Sequence, residues 1–257
     1  MTAPADRSAA ASSRTPAGAD RPAFYALGHG RLGDLVTLLH PPYTAWHLSY
    51  VALGAAAAPH LYASRLLWAL AAFGLAVGVA AHALDELHDR PLHTGFSDRT
   101  LIALAAISLV GALAIGIAGA VTVTAWLVPF VLAGALFLPA YNLELIGGRL
   151  HGDMWFAIGW GAFPALTGYF INAEKISLPG LAIAAGCMVM SVAQRRLSSP
   201  ARELRRRTRS VEGAQTLADG SVRELTRAEL LAPLDGALAA ISLAMVLTAC
   251  ALVGARL

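Results

Sequence analysis

Apolar residues arrive in this chain in blocks close to the ~20 residues that a helix needs to cross a bilayer, and the charged residues gather between them. The blocks fall at residues 43–58, 66–84, 101–120, 125–140, 154–171, 178–193 and 231–253. Backbone N–H and C=O groups cannot go unpaired in lipid, so a spanning segment must be a helix or part of a closed barrel. The alternating pattern of a membrane barrel is absent. The expected fold is an all-α, polytopic membrane bundle of about seven transmembrane helices. Its third and fourth helices are divided only by a Gly-Ala-Val-Thr-Val-Thr hinge at residues 119–124. Charged residues make up 14% of the sequence, well below the ~25% of a soluble domain, which points the same way.

The basic residues set an expected orientation. Arg7, Arg14, Arg21 and Arg31 precede the first block, Arg90 and Arg99 follow the second, and Arg149 follows the fourth. After the sixth come Arg195, Arg196, Arg202, Arg205, Arg206, Arg207 and Arg209, then Arg223 and Arg227. The alternate loops hold little beyond Arg65 and Lys175. The positive-inside rule then puts the N-terminus and the arginine-rich loops on the cytoplasmic side of the cytoplasmic membrane. Residues 1–35 read as a disordered cytoplasmic tail, rich in Ala, Ser, Pro and Arg and without the apolar core of a secretory signal. Residues 36–257 form the membrane domain, with an arginine-rich cytoplasmic segment at 194–230. That segment is expected to form one or two short surface helices, with a turn at Asp219-Gly220.

Several classes of function are set aside. A nucleic-acid binder needs a basic face with exposed aromatics, and the arginines here follow the membrane pattern instead, so no nucleic-acid partner is expected. Cys187 and Cys250 lie inside apolar blocks without CxxC or Cys/His spacing, which removes a zinc signature.

Chemistry concentrates in two stretches predicted to share one membrane face. The first is His82-Ala-Leu-Asp85-Glu86-Leu-His88-Asp89-Arg90-Pro91. On a helix ending at Pro91, His82, Asp85, Glu86 and Asp89 stand at i, i+3, i+4 and i+7, on one face. Ionisable groups at a membrane boundary usually face a cavity or a partner. The second is Tyr141-Asn142-Leu-Glu144-Leu-Ile-Gly147-Gly148-Arg149-Leu-His151-Gly152-Asp153, followed by Trp155 and Trp160. Convergence of the two would let Asp, Glu and His hold a divalent cation. Carboxylates alongside phosphate suit Mg²⁺, and imidazoles shift the preference towards a transition metal. A third stretch, Gln194-Arg195-Arg196-Leu-Ser198-Ser199 with Arg202 and Arg205, suits diphosphate oxygens, although membrane topology alone accounts for its arginines. Of the histidines around the first block, His47 is the one placed to matter.

The order of these features resembles the UbiA superfamily of membrane prenyltransferases. That family carries an Asn-Asp-x-x-Asp-x-x-x-Asp motif after its second helix. Here Asp85 and Asp89 match the last two aspartates, and His82 stands where the first would be. The Tyr141 stretch and Gly159-Trp160-Gly161-Ala162-Phe163-Pro164 look like the region between the family's fourth and fifth helices. The likeness runs from about His40 to Ala193. Where the family has a second aspartate-rich motif, this chain reads Gln194-Arg195-Arg196, and it has about seven spans where the family usually has nine.

The resemblance implies a UbiA-like bundle in which Asp85 and Asp89, with Glu144 and Asp153 substituting for the missing motif, serve Mg²⁺-dependent chemistry on an isoprenoid diphosphate. Prenyl transfer and terpene cyclisation are both open. Tyr141, Asn142, Arg149, Gln194 and Arg195 would contact the substrate. His82, Asp85, Glu86, Asp89, His151 and Asp153 form the wider set of metal ligands. Two alternatives stand beside this: a metalloenzyme that uses those histidines and carboxylates, and a non-catalytic prenyl-lipid-binding membrane protein.

Overall fold

A computed structural model of the protein describes residues 21–27 and 30–257. Apart from one two-stranded hairpin, its regular elements are helical. They run α1 (Arg31–Leu38), α2 (Pro41–Ala57), α3 (Ala63–Asp89), α4 (Asp98–Thr122), α5 (Ala125–Asn142), α6 (Asp153–Ala173), α7 (Leu178–Arg206), β1 (Ala214–Thr216), β2 (Val222–Glu224) and α8 (Arg227–Gly254). Six of these, α3 to α8, are long and apolar enough to cross a membrane. Their outward surfaces agree: Ile107, Val121, Trp126, Leu136, Leu243 and Leu247 are all exposed. A soluble protein rarely shows so much contiguous apolar surface, whereas lipid solvates it.

Helix α2, 17 residues long, stands apart from these six. Residues Trp46 to Ala56 are buried almost without interruption. A helix that is apolar all round has no surface stripe and sits in the core. Accordingly α2 packs against α3, α6, α7 and α8. The closest of these contacts is with α6. A Cβ at Gly54 would collide with the Ala165 carbonyl, and one at Gly168 with the Val51 carbonyl. Small residues that let two backbones meet are a common basis of helix packing in membranes, where lipid offers no hydrophobic drive between helices. Tyr50 links α2 to α7 as well: its hydroxyl accepts from Trp46 Nε1 at 2.5 Å and from Ser191 Oγ at 3.3 Å.

The helices alternate in direction, so one end of the bundle collects the start of α2, α4, α6 and α8 and the close of α3, α5 and α7. The other end is tied by Arg65, which donates to the Ile171 carbonyl at 2.9 Å and pairs with Glu174 at 2.7 Å. Arg256 donates to the Ala58 and Pro59 carbonyls there. The hinge expected between the third and fourth apolar blocks is present, with Thr124 capping α5 through its side chain.

Two expectations need correction. The arginine-rich segment does not form separate surface helices: α7 carries on through Pro200 to Arg206, and an antiparallel hairpin follows with Asp219-Gly220 in its turn. Asp-Gly between short strands is a strong hairpin signal. Part of the expected tail is also folded. Ala23 and Ala26 are buried, the Leu27 amide donates to Thr37 Oγ1 at 3.0 Å, and α1 starts at Arg31. Leu38 at the end of α1 packs with Ala83, Leu101 and Ala105, so apolar contacts hold this region down. Residues 1–20 of that tail lie outside the described residues.

The α2–α6 contact generates a prediction. Gly168→Leu forces two backbones apart, an overpacking cost of about 1–3 kcal/mol or more. Gly134 instead faces Phe163 at 3.7 Å, an ordinary contact, so Gly134→Ala should leave stability nearly unchanged. Thermal unfolding in detergent checks the pair, and equal midpoints for the two variants would refute the packing argument.

Candidate functional site

A cavity of about 570 Å³ occupies the end of the bundle where α3, α5 and α7 close. Its wall brings together residues from all three stretches singled out above: His82, Asp85, His88 and Asp89 from α3, Tyr141 and Asn142 from the end of α5, Glu144 and His151 from the α5–α6 connection, and Gln194 and Arg195 from α7. His40, Tyr43 and His47 join from α2 and its cap, and residues 22–25 close over the mouth.

The α3 carboxylates divide. Asp85 and Asp89, one helical turn apart, face the cavity, and neither enters an ion pair among the described residues. Glu86 departs from the expected set of metal ligands. It is fully buried, and its oxygens accept from the Leu92 amide at 2.9 Å, the Thr94 amide at 2.8 Å and the Thr94 hydroxyl at 2.9 Å. The chain after α3 folds around this carboxylate, so Glu86 organises the loop and does not reach the cavity.

The second stretch also splits. Tyr141 and Asn142 are buried at the cavity wall, with Asn142 Nδ2 donating to the Leu138 carbonyl at 2.8 Å. Glu144 sits at positive φ on the turn, 3.8 Å from His151 Nε2. Arg149 does not line the cavity and is exposed on the turn, apart from the other expected substrate contacts. Asp153 is likewise outside the cavity wall and exposed. Its carboxylate takes Arg195 Nε at 2.8 Å, which holds that guanidinium over the Phe156 ring, 5.1 Å from its centroid. Asp153 therefore positions an arginine from outside the cavity wall, apart from the other expected metal ligands.

The histidines have defined roles. His47 Nδ1 lies 2.8 Å from the Trp160 carbonyl, His82 Nδ1 3.1 Å from that of Gly78, and His151 Nδ1 3.0 Å from that of Tyr141. A carbonyl only accepts, so each Nδ1 carries the proton. Trp160 and Gly78 belong to π-helical stretches, Ala157–Ala162 and Gly74–Ala81. Such stretches disturb the i→i−4 ladder and occur often at functional sites. His82 also stacks on His40, with centroids 4.1 Å apart. Among the described residues no three His, Cys, Asp or Glu side chains form a metal-binding group.

The arginines of α7 are the part that sequence reasoning undervalued. Because α7 runs on to Arg206, Arg195, Arg202 and Arg206 stand at i, i+7 and i+11 on one helical face, and all three line the cavity. The spacing was legible, but topology accounted for the arginines and the helix was expected to stop. Arg205 is held by Asp235, and Arg202 donates to Ser199 Oγ at 3.2 Å. Four buried polar atoms on the wall have no hydrogen-bond partner among the described residues: His40 Nε2, Tyr141 Oη, Gln194 Oε1 and Arg205 Nε. Buried polar groups are nearly always paired with protein, ordered water or a ligand, so these atoms are the wall's spare hydrogen-bonding capacity.

Beyond Trp160 lies a second, apolar cavity of about 840 Å³, between α3, α4, α5 and α6. Trp160 lines both spaces. It packs with Tyr141 at 4.3 Å, Phe156 at 5.5 Å and Phe137 at 5.7 Å between centroids, so an aromatic cluster separates the polar chamber from the apolar one.

Fold and site together define a helical bundle of membrane-protein character, with an arginine-lined chamber at one end and an apolar groove leading away from it. No family model matches the chain, and neither a curated protein nor a solved structure does.

Two predictions follow from the buried groups. Glu86→Ala leaves the Leu92 and Thr94 amides unpaired and should cost about 1–3 kcal/mol for each buried group left unsatisfied. Glu86→Gln keeps an acceptor and should fall between it and the native protein in thermal unfolding. The second concerns His40, whose imidazole is held well below its ordinary 6.5 by burial first, then by His82, Arg206 and Arg202. Below about 6.5 the unfolded chain binds a proton that the folded protein refuses, so this stability is present above that pH and lost as pH falls. The unfolding midpoint should therefore drop between pH 7 and pH 5, and His40→Asn, which tolerates the positive φ, should flatten that slope. An unchanged slope in the variant would remove His40 as the cause.

Proposed function

We propose that the chain is a Mg²⁺-dependent, UbiA-like membrane enzyme that acts on an isoprenoid diphosphate, by prenyl transfer or cyclisation, at the cytoplasmic face. The observation that carries this reading is the junction at Trp160, where an arginine-lined chamber meets an apolar groove. An amphiphile with a polyanionic head and a hydrocarbon tail matches both halves. In this reading α2 is the seventh span, since it reaches from the chamber at His40 to the opposite end at Ala58. The positive-inside pattern supports a chamber that faces the cytoplasm.

The residues fit the ion. Mg²⁺ typically takes one or two carboxylates and completes its shell with water and substrate phosphate oxygens, and Asp85 and Asp89 are two unpaired carboxylates on one turn of the chamber wall. When bound, it supplies positive charge against the charge that develops on the departing diphosphate. Arg202 and Arg206 donate to the same oxygens, and Arg195, held by Asp153, adds a third guanidinium at the aromatic junction. The C1–O bond breaks, and its electron pair leaves with the diphosphate. Positive charge then appears on the allylic carbon beside Trp160, Tyr141 and Phe156, whose ring faces attract it. Electrons from an acceptor, or from a double bond of the same chain, close on that carbon, and a proton is lost. The apolar groove keeps water from competing.

The α7 face also supports a second reading. It carries Gln194, Arg195 and Arg196 where the resembling family has acids, and arginines alone hold an anionic lipid head without a metal. A single experiment separates the two. Membranes containing the native chain, Asp85→Asn or Arg202→Gln are incubated with labelled farnesyl and geranylgeranyl diphosphates, with and without Mg²⁺. Diphosphate release should require both Mg²⁺ and Asp85 and should fall about 10²-fold or more in Arg202→Gln, the scale of losing one transition-state donor. Correctly inserted native protein that binds either lipid but releases no diphosphate would favour the non-catalytic reading. Absence of both binding and release would sink each of them.

A further inference from the structure

We propose that the strap formed by residues 21–27 is a lid on the chamber. It closes over the ligand's diphosphate head, brings the Tyr25 hydroxyl onto it, and must lift for the head to exchange. This rests on the reading of the chamber as a diphosphate site and adds how the head enters and what covers it.

A charged head is poorly served by the groove side. There Trp160 packs on Tyr141 and Phe156 at 4.3 and 5.5 Å between centroids, and a polyanion passing among those rings would lose its water without gaining partners. At the end of the bundle the arginines are instead graded in depth. Arg206 and Arg207 are exposed, and Arg202 is half-buried. Exposed guanidiniums draw an anion from solution, and the inner one receives it. Residues 22–25 lie across this entrance.

The strap is lightly tethered. It contains no helix or strand. Two of its hydrogen bonds among the described residues are internal: Arg21 Nη1 donates to the Ala26 carbonyl at 3.4 Å, and the Ala26 amide to the Ala23 carbonyl at 3.1 Å. The bond from the Leu27 amide to Thr37 Oγ1, at 3.0 Å, reaches the bundle. Side chains supply the remaining hold. Ala23 and Ala26 are buried, and Phe24 and Tyr25 meet Tyr43 edge-on at 6.1 and 5.5 Å between centroids. A segment with so few tethers opens locally far more often than the whole fold unfolds.

Closed, the strap also adds a donor. The Tyr25 ring lies 5.2 Å from that of His40, beside the stacked pair of His40 and His82. Burial first, then Tyr43, holds the Tyr25 hydroxyl well above its ordinary 10, and Arg206, Asp85 and Arg202 are the next neighbours that act on it. A phenol that keeps its proton beside these charges can donate to a phosphate oxygen without changing the charge of the site. Lids of this kind also keep water from the reacting atoms.

Cysteine labelling of the full-length protein in lipid nanodiscs reads the opening, on a Cys250→Ser background because Cys250 is exposed. A water-soluble maleimide is applied to Ala26→Cys, with Ser210→Cys as the exposed reference and Ala83→Cys as the buried one. Ala26→Cys should label at a rate between the two. Thr37→Val removes the strap's bond to the bundle and should speed that labelling about fivefold, the scale of one net hydrogen bond. Ala83→Cys should stay unlabelled in the same variant, which shows that the bundle remains folded. Inorganic diphosphate with Mg²⁺ should slow the labelling of Ala26→Cys about tenfold or more, and Tyr25→Phe, which keeps the ring, should lose most of that slowing. A rate equal to that of either reference, or one that Thr37→Val leaves unchanged, overturns the lid. Slowing that survives intact in Tyr25→Phe overturns the role of its hydroxyl. The unfolding midpoint, followed in parallel, separates these failures from that of the diphosphate reading. A midpoint raised by diphosphate while labelling is not slowed overturns the strap alone. A midpoint that diphosphate does not move overturns the reading of the chamber, and closure on a diphosphate head with it.

Discussion

In the middle of the bundle two helix backbones meet with no side chain between them: Gly54 of α2 rests on the Ala165 carbonyl, and Gly168 of α6 on that of Val51. In lipid this contact is not driven by burial of apolar surface, since the surroundings are equally apolar, and it depends on shape alone. It brings α2 near enough for His47 to donate to the Trp160 carbonyl. Trp160 in turn forms the wall between the polar chamber and the apolar groove. The position of the site is thus set by residues that carry no chemistry. The glycine contact also explains why α2 has lost the outward-facing surface of its neighbours and carries its polar groups, Ser49, Tyr50 and His47, as internal hydrogen-bond partners.

The π-helical stretches in α3 and α6 extend the same logic. Each loosens a ladder that would otherwise consume its own carbonyls, and in each a carbonyl is taken by an imidazole, Gly78 by His82 and Trp160 by His47. Those bonds fix the Nδ1 tautomer and commit the rings to structure. The imidazoles brace helix segments from within, and the carboxylates of Asp85 and Asp89 are left as the uncommitted groups of the α3 face.

Much of this was legible in the sequence, and the parts that were not have definite causes. Block length located the membrane helices because the bilayer imposes a length and the need to pair every backbone group imposes helicity. The spacing of His82, Asp85 and Asp89 gave a shared helical face correctly, since that depends only on local geometry. The same spacing included Glu86, and nothing local indicated that the chain after Arg90 would turn back and wrap its carboxylate with the Leu92 and Thr94 amides. Asp153 and Arg149 misled for a similar reason. Both sit beside a turn whose direction follows from the left-handed run at Glu144, Ile146, Gly147 and Gly148, and that direction sends Arg149 to solvent and Asp153 to Arg195. The α7 arginines were visible at helical spacing but had a sufficient explanation in topology. Only the continuation of the helix past Pro200 turned them into one wall of a cavity.

That continuation changes the electrostatic question the site poses. Two carboxylates alone would attract a cation, and three guanidiniums alone would attract an anion. In the chamber they face each other, with Asp85 and Asp89 on α3 and Arg202 and Arg206 on α7. Arg195 is already neutralised by Asp153, and Arg205 by Asp235. Asp85 and Arg202 are half-buried, whereas Asp89 and Arg206 are exposed, so the desolvation cost falls on the inner pair. A ligand that bridges them must be negative towards α7 and able to accept a cation towards α3. A phosphate group chelating a divalent ion has that polarity, with its oxygens shared between the metal and the arginine forks. The unpaired Gln194 Oε1, Tyr141 Oη and His40 Nε2 lie on the same wall. Of these atoms the Tyr141 hydroxyl can donate to such oxygens, whereas Gln194 Oε1 only accepts and needs a donor.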